Sequence, residues 1–371
     1  MLANKAYLDD LNLMRSVATE AGNLAQSFLA KGALNTRDKV KDHPVTDADI
    51  AVNTLIEQRL RSARPDYGWL SEETALDDET RKGERVWVVD PIDGTKAFIK
   101  GEPYWCIGIG LIEQGRSVAG VVHAPQLGET YTGALGHGAF LNDQPITASQ
   151  AETLEAARLV VSATLLKHPA WRQRWPDIEV ANPKPNATLL RICWVASGAW
   201  DGAFTLSRKS DWDLVPGAVI ASEAGALATT HLGEEFLFNR SEPAQRSLLV
   251  AGKVMHSLLS ARLKPVRLPD PNWTVRRYDR TPDAEPETMA EMTDTKQLLH
   301  IVIGGELKDV TDVEFEDLSK IDFVGAFPSY KEAYDAWKNA AQRTVDNAEM
   351  RYFILHAHKL LDPETGDHHH V

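Results

Sequence analysis

Two carboxylates and a Gly-Thr pair follow an apolar run in the segment WVVDPIDGT, residues 87–95. Its β-rich start predicts a strand that ends at Asp90, and Pro91 sets the backbone for a tight turn that brings Asp93 back toward Asp90. Hard cations such as Mg²⁺ prefer oxygen ligands, and the backbone carbonyl of Ile92 can supply a neutral one. The segment therefore suits divalent cations bound beside a phosphate, although Asp and Gly are also ordinary turn residues.

Gly94 and Thr95 complete this segment. Gly94 permits close approach of the backbone to a ligand, and Thr95 stands where a helix could begin. The amide hydrogens at such a helix start would face a phosphate, assisted by the local dipole. We therefore expect Gly94 and Thr95 to contact the substrate.

Two further acidic clusters follow apolar residues elsewhere in the chain. One is WLSEET at 69–74, which contains Glu72 and Glu73, and the other is DWD at 211–213, which is followed by LVPGAV. Together with Asp90–Thr95, these motifs resemble, in their order and spacing, the inositol monophosphatase superfamily. The similarity covers about residues 7–262.

The resemblance implies a site for two or three Mg²⁺ ions. Glu72, Asp90 and the Ile92 carbonyl would hold one ion, while Asp90, Asp93 and Asp213 would hold another. Such a site activates a water molecule for in-line attack on a phosphate ester and neutralises charge on the phosphoryl oxygens. We expect Glu73 either to support these ligands from behind or to be an exposed loop acid.

The family pattern also pairs Thr95 with an acid near Thr46. In this interpretation Asp47 orients the Thr95 hydroxyl, which positions the attacking water. The segment TDAD at 46–49 precedes an amphipathic run, so Thr46 or Asp47 could equally cap a helix. Capping and catalysis are compatible, and we expect the catalytic residues to be Asp47, Thr95 and Glu72.

The residues before the Trp-Asp motif bear on which ester is cleaved. Family members that hydrolyse inositol phosphates carry an acidic side chain there, whereas residues 203–210 read AFTLSRKS, without an acid. Arg208 and Lys209 could instead contact a second phosphate, since paired cations suit one, or lie on a solvated loop. The segment GTKAF at 94–98 looks like the 3'(2'),5'-bisphosphate nucleotidase branch, although histidinol-phosphate phosphatases carry a similar one. We therefore expect adenosine 3',5'-bisphosphate as substrate, with inositol 1-phosphate and histidinol phosphate as alternatives.

Composition argues against several other classes of protein. The chain has 371 residues, 43% of them hydrophobic, and a formal net charge of −13. This charge argues against binding of a nucleic-acid polymer, which needs a basic face. No apolar run of about 18 residues and no leader-like start are present, so we expect a cytoplasmic protein without a membrane partner. Cys106 and Cys193 lie in apolar surroundings that favour free, buried thiols.

The pattern of helices and strands predicts two halves of an enzyme core. Apolar spacing predicts helices over 8–30, 191–199 and 216–226, and β-rich runs predict strands at 104–112, 117–123, 129–134 and 159–161. The first half, residues 1–145, is expected to be α+β, and the second half, 146–265, to be α/β. The resemblance implies a layered αβαβα fold with the active site between the halves.

A separate module is expected after this core. Residues 266–294 are rich in proline and charge, which is typical of a linker. Residues 295–365 predict a small ββαβ domain, with strands at 298–303, 323–327 and 352–356, a Gly304-Gly305 turn and a helix from Ser329 to about Val345. The domain resembles a small family of unassigned function, and its lack of catalytic groups predicts an interaction or lid role. His356 and His358 fit packing better than metal binding, and His368–His370 fit a solvated tail.

The resemblance also bears on partners and regulation. It implies a small phosphorylated metabolite as substrate, inhibition by lithium and a homodimer. A regulatory protein that binds metal and ligand without turnover is the alternative from another class. The retention of every expected ligand side chain argues against that alternative.

Overall fold

The computed structural model describes residues 2–31, 36–40, 43–74, 79–167, 171, 173–266, 268, 300–306, 317–327, 332–333, 336–337 and 350–356. The chain divides into two compact units, Met1–Arg280 and Thr281–Val371. Apart from Val266 and Leu268, the linker predicted over 266–294 lies outside the described residues. No described helix combines the length and the apolar character that crossing a lipid bilayer requires.

In the first unit, the described α-helices are α1 Leu2–Lys31, α2 Asp47–Ala63, α3 Thr95–Ile99, α4 Ala163–Leu166, α5 Thr188–Ala196, α6 Val215–Glu223 and α7 Lys253–Leu263. A short 3₁₀ helix covers Asp211–Asp213. The strands are β1 Thr36–Val40, β2 His43–Thr46, β3 Gly68–Ser71, β4 Arg85–Asp93, β5 Cys106–Glu113, β6 Arg116–Ala124, β7 Glu129–Ala134, β8 Ala139–Leu141, β9 Gln144–Pro145, β10 Arg158–Val160, β11 Glu179–Val180, β12 Gly202–Thr205, β13 Lys209–Ser210, β14 Ala226–Thr229, β15 Ala244–Gln245 and β16 Leu248–Gly252.

Two sheets organise this unit. The larger one has the order β3-β4-β5-β6-β7-β8-β9, in which β3 and β4 are parallel and the other neighbours are antiparallel. The smaller one has the order β11-β10-β12-β16-β14 and mixes parallel with antiparallel pairs. The strands predicted at 104–112, 117–123 and 129–134 are confirmed as the antiparallel neighbours β5, β6 and β7.

The side chains of β4 show how the layers form. Trp87 and Val89 pack with α1 and α2, whereas Val86 and Val88 pack with α5 and α6, because successive strand residues face opposite sides. The smaller sheet covers α5 and α6 from their other side, and its outer face, which includes Leu159, packs against α7. This succession confirms the predicted αβαβα layering.

Glycines of β5 and β6 let α6 approach the larger sheet closely. A Cβ at Gly120 would lie 2.2 Å from Pro216 O, and one at Gly110 would lie 2.7 Å from the Val215 side chain. Pro216 stands at the start of α6, where a missing N–H loses no helical hydrogen bond. The predicted helix over 216–226 is therefore present as α6. The helix predicted over 191–199 is α5, which begins three residues earlier, at Thr188.

In the second unit, β17 His300–Glu306 lies between β18 Asp322–Phe327 and β19 Met350–His356 in an antiparallel sheet, and a 3₁₀ helix covers Leu318–Lys320. The turn predicted at Gly304-Gly305 is wrong, because both glycines lie within β17. Gly304 packs against the Tyr352 ring, where a Cβ would lie 2.3 Å from Tyr352 Cδ1, so a glycine in this strand marks a close approach. Most of the helix predicted from Ser329, together with His358 and His368–His370, lies outside the described residues.

Candidate active site

The two aspartates of the WVVDPIDGT segment lie within β4 and not in a turn after it. Asp90 pairs with Gly108 of β5 and Asp93 pairs with Cys106, so three steps along β4 match two steps along β5. In a regular strand, residues three apart face opposite sides of the sheet, and this β-bulge returns them to the same side. Ile92 accordingly packs with α1 and α2, while both carboxylates face α5 and α6.

Asp213 and Glu72 reach the same place from other elements. Asp213 ends the 3₁₀ helix before α6, and its Oδ2 accepts a hydrogen bond from Ser210 N at 2.9 Å. Carboxylate oxygens of Asp90, Asp93 and Asp213 lie within 4.8 Å of one another. Glu72 directly follows β3, and its N–H donates to the carbonyl of β4 that precedes Asp90, at 3.2 Å. The parallel pairing of β3 with β4 thus brings Glu72 beside Asp90.

Glu72, Asp90, Asp93 and Asp213 form an acidic cluster whose like charges repel one another. Burial, followed by the charges of Glu72, Asp93 and Asp213, raises the pKa of Asp90 well above its ordinary value. Burial and the charge of Asp213 raise the pKa of Asp93 to about 7. Among the described residues, Asp90 Oδ1 is buried without a hydrogen-bond partner. Crowded oxygen ligands with an unsatisfied buried atom fit a hard divalent cation.

Thr95 begins α3, and its hydroxyl oxygen lies 3.1 Å from Ile92 O and 3.3 Å from Asp49 Oδ1. The sequence predicts Asp47 as the acid that orients this hydroxyl, and the structure corrects the assignment to Asp49. The reason is a capping box, in which Thr46 caps α2 and Asp49 Oδ2 accepts from Thr46 N at 2.8 Å and from Thr46 Oγ1 at 2.6 Å. These bonds orient the buried Asp49, while Asp47 occupies the first helical position.

The start of α5 closes against the acidic cluster. Leu189 N donates to Asp93 Oδ2 at 2.6 Å. Gly94 has a left-handed φ of 97°, and a Cβ there would lie 3.2 Å from the Ala187 Cβ. At Gly108, a Cβ would lie 2.2 Å from Leu189 Cδ1. Glycine at these two positions therefore lets residues 187–189 lie directly against the carboxylates.

Arg208 and Lys209, which the sequence predicts as substrate contacts, pair with different carboxylates. Lys209 begins β13, and its Nζ lies 3.9 Å from Asp213 Oδ1, at the edge of the acidic cluster. Arg208 forms an ion pair with Glu242. Contact of these two cations with the substrate stays a prediction.

Two other sequence predictions concern groups around the ligands. Glu73 is half-buried beside Glu72, and its N–H donates to Ser71 Oγ at 3.3 Å. Cys106 and Cys193 are confirmed as free, buried thiols. Burial raises the pKa of both thiols well above the ordinary value, so neither has the thiolate character of a nucleophile.

Sequence reasoning missed two groups at this site. Asp49 could have been found, because a threonine followed three residues later by an acid is the spacing of a capping box. The amide of Leu189 carries no sequence signal, since any residue has one. Lys184, whose pKa is lowered to about 8 by burial and by the charges of Arg191 and Lys209, lies in no recognisable motif.

The carboxylates of Asp90, Asp93 and Asp213 lie close enough to hold a metal ion. A family model described as the inositol monophosphatase family matches residues 10–266. The chain belongs to the inositol monophosphatase family, and it is a phosphoric monoester hydrolase that acts on small phosphorylated metabolites. A second family model, described as a domain of unknown function (DUF4170), matches residues 298–357.

Curated relatives and a solved structure support the family assignment. Inositol monophosphatase 3 of Solanum lycopersicum is 33% identical over 236 residues, with 59% of this chain and 87% of that protein covered. Histidinol-phosphatase of Mycobacterium tuberculosis is 36% identical over 232 residues, with 60% of this chain and 87% of that protein covered. The crystal structure of extragenic suppressor protein suhB from Bartonella henselae matches with a TM-score of 0.59 and 26% identity, covering 69% of this chain and 98% of that one.

Proposed function

We propose that this protein hydrolyses phosphate monoesters with the help of two or three Mg²⁺ ions, held by Glu72, Asp90, Asp93, Asp213 and the Ile92 carbonyl. The observation that carries the proposal is the Asp90 carboxylate, which is buried among like charges and has an unpartnered Oδ1 within the described part of the chain. Divalent cations bound there would neutralise charge on the phosphoryl oxygens and lower the pKa of water.

The protein's own groups would orient the attacking water and the ester. The Thr95 hydroxyl, which lies near both Ile92 O and Asp49 Oδ1, can hold a water molecule for attack on phosphorus. Asp49 can accept the proton that passes through this hydroxyl, and its bonds from Thr46 keep its orientation fixed. The N–H groups after Gly94 would meet the phosphoryl oxygens, as the sequence predicts.

The substrate that we propose is a nucleoside bisphosphate, with adenosine 3',5'-bisphosphate as the first candidate. Three features support this substrate. Lys96 belongs to the GTKAF segment, and the stretch around Leu206 lacks the acidic residue that inositol phosphatases carry before the Trp-Asp motif. The third feature is the cation Lys209 beside Asp213. Inositol 1-phosphate and histidinol phosphate are second candidates. They are favoured by relatives named inositol monophosphatase and histidinol-phosphatase that are 33% and 36% identical to this chain.

The proposal extends to the state of the enzyme. Following the family resemblance, we propose a cytoplasmic homodimer that lithium inhibits. Sedimentation velocity measures the oligomeric state, and a lithium titration of phosphate release measures inhibition. A monomer, or release that is insensitive to lithium, would remove the corresponding part of the proposal.

A phosphate-release screen tests the proposed function. The purified full-length protein is assayed with and without Mg²⁺ on nucleoside bisphosphates, inositol phosphates, histidinol phosphate and sugar bisphosphates. We expect Mg²⁺-dependent release that is highest with a nucleoside bisphosphate. Asp90→Asn should abolish release, whereas Asp177→Asn, at an exposed carboxylate away from the cluster, should keep it. No release from any compound would overturn the function, and preference for another class would overturn only the substrate.

A further inference from the structure

Lys184 belongs to the segment that leads into α5. Arg191, within α5, folds back on this segment, so that its Nε donates to Pro185 O and its Nη2 donates to Asn186 O, both at 2.7 Å. At the end of the segment, Ala187 lies against Gly94 of β4–α3. Arg191 therefore fixes the backbone beside Lys184, and the segment lies along the Asp93–Thr95 stretch of the active site.

Lys209 approaches the same cluster from β13. Its Nζ lies 3.9 Å from Asp213 Oδ1, and its side chain is only 19% exposed. The positive charge of Lys209 acts on Asp93 as well, where it favours the ionised carboxylate. Lys209 thus lies at the edge of the acidic cluster.

Lys184 lies near two other positive charges, those of Arg191 and Lys209. Within the described ranges, Lys184 forms no ion pair with a carboxylate, although it is half-buried. Burial, and then the charges of Arg191 and Lys209, lower its pKa to about 8. Arg191 already uses two of its donors on backbone carbonyls. Lys184 and Lys209 are therefore a pair of cations whose chain segments both approach the acidic cluster, and within the described residues no carboxylate pairs with Lys184.

Arg208 is not a competing member of this pair. It binds Glu242 and lines a cavity of about 640 Å³ with Glu234, Arg240 and other residues, and neither Lys184 nor Lys209 lines that cavity. Its charge is therefore already neutralised at a different position.

We propose that Lys184 and Lys209 together bind a second phosphate of the substrate, and that Lys184 is the specificity-determining residue for bisphosphates. The inference rests on the proposed phosphatase function and deepens it. A single phosphate held over the carboxylates leaves these two ammonium groups without an anion. A second phosphate on the same substrate can bind them. A substrate without the second phosphate lacks these two contacts but still makes the other contacts with the site.

The test compares two esters that differ by one phosphate, 3'-AMP and adenosine 3',5'-bisphosphate. Steady-state phosphate release is measured for the wild-type protein, for Lys184→Met, and for Lys253→Met, which removes an exposed cation at the start of α7. We expect Lys184→Met to raise KM for the bisphosphate about tenfold or more, as for a lost charge-assisted contact, with kcat and the 3'-AMP constants little changed. Lys184→Arg should restore the preference, and Lys253→Met should not alter it.

Equilibrium binding separates failure of this inference from failure of the proposed function. Titration of the two nucleotides in Ca²⁺ requires no turnover, and circular dichroism checks that each variant is folded. If Lys184→Met lost the preference for the bisphosphate in binding while no variant released phosphate, the inference about Lys184 would stand and the proposed phosphatase function would be refuted. Phosphate release with an unchanged preference in Lys184→Met, or loss of preference in Arg208→Met alone, would overturn the inference.

Discussion

Asp93→Asn should stabilise the metal-free protein while weakening its response to Mg²⁺. Burial and the charge of Asp213 raise the pKa of Asp93 from 3.8 to about 7, so ionisation of this carboxyl opposes folding when no cation is present. A change of this size corresponds to about 4 kcal/mol as an upper value. Asparagine removes the charge, and its oxygen can still accept the hydrogen bond from Leu189 N. We expect a gain of about 2 to 4 kcal/mol in metal-free stability at pH 8.

The sign of the pH dependence follows from the raised pKa. The folded protein keeps its proton on Asp93 up to about pH 7, while the unfolded chain loses it near 3.8. Stability of the metal-free wild type should therefore fall as pH rises through this window. Thermal unfolding at pH 5.5 and pH 8, with and without Mg²⁺, measures the effect. In a unit of this size, the expected gain raises Tm by roughly 5 to 10 °C at pH 8 and by roughly half as much at pH 5.5, because the unfolded chain is already ionised there.

A matched control has the opposite sign. Asp201 is also buried, but hydrogen bonds from Arg158 and Ser149 outweigh that burial and lower its pKa. Asp201→Asn should therefore destabilise the protein at both pH values, with or without Mg²⁺. If Asp93→Asn lowered the metal-free Tm at pH 8, or raised it equally at both pH values, the electrostatic reasoning would be refuted.

Three further predictions concern the catalytic acid, the packing and the second unit. Asp49→Asn should lower kcat of phosphate release by about 10²-fold or more, whereas Asp47→Asn should change it little; equal effects would contradict the corrected assignment. Gly120→Ala should destabilise the fold by about 1 to 3 kcal/mol in urea unfolding, because the added Cβ meets Pro216 O; an unchanged midpoint would contradict the close packing. Truncation after residue 290 should preserve phosphate release, since the candidate site residues precede that position. If the second unit has an interaction or lid role, the truncated protein should differ in oligomeric state or kinetics. Sedimentation velocity and steady-state assays measure these two properties.

The positions of the proposed ligands could be predicted from the sequence because they lie in short motifs after apolar runs. The structure brings Asp90, Asp93 and Asp213 together although Asp213 is far along the chain. The bulge that turns Asp90 and Asp93 to one side could not be predicted, because it depends on the register between β4 and β5. Local sequence alone predicts a turn at this point, since proline and aspartate are common in both settings.

The errors at other positions have similar causes. Asp47 and Asp49 are two residues apart, and only the cap geometry of α2 decides which of them faces Thr95. Gly304-Gly305 suggests a turn by composition, whereas the packing of Tyr352 keeps both glycines in a strand. The role that we propose for Lys184 has no sequence signal, because the position of its segment depends on contacts of residues 187–189 with β4 and Gly94. In each case a tertiary contact, rather than a local preference, fixes the outcome.

Calorimetric titration of Mg²⁺ into the wild-type protein and into Asp213→Asn tests most directly whether carboxylates from distant segments share the same cations. Asparagine can still accept the hydrogen bond from Ser210 N, so the change removes a charged ligand with little disturbance of the 3₁₀ helix. The account predicts that more than one Mg²⁺ binds the wild type and that at least one is lost in Asp213→Asn. Equal stoichiometry and affinity in the two proteins, or no binding to the wild type, would contradict it.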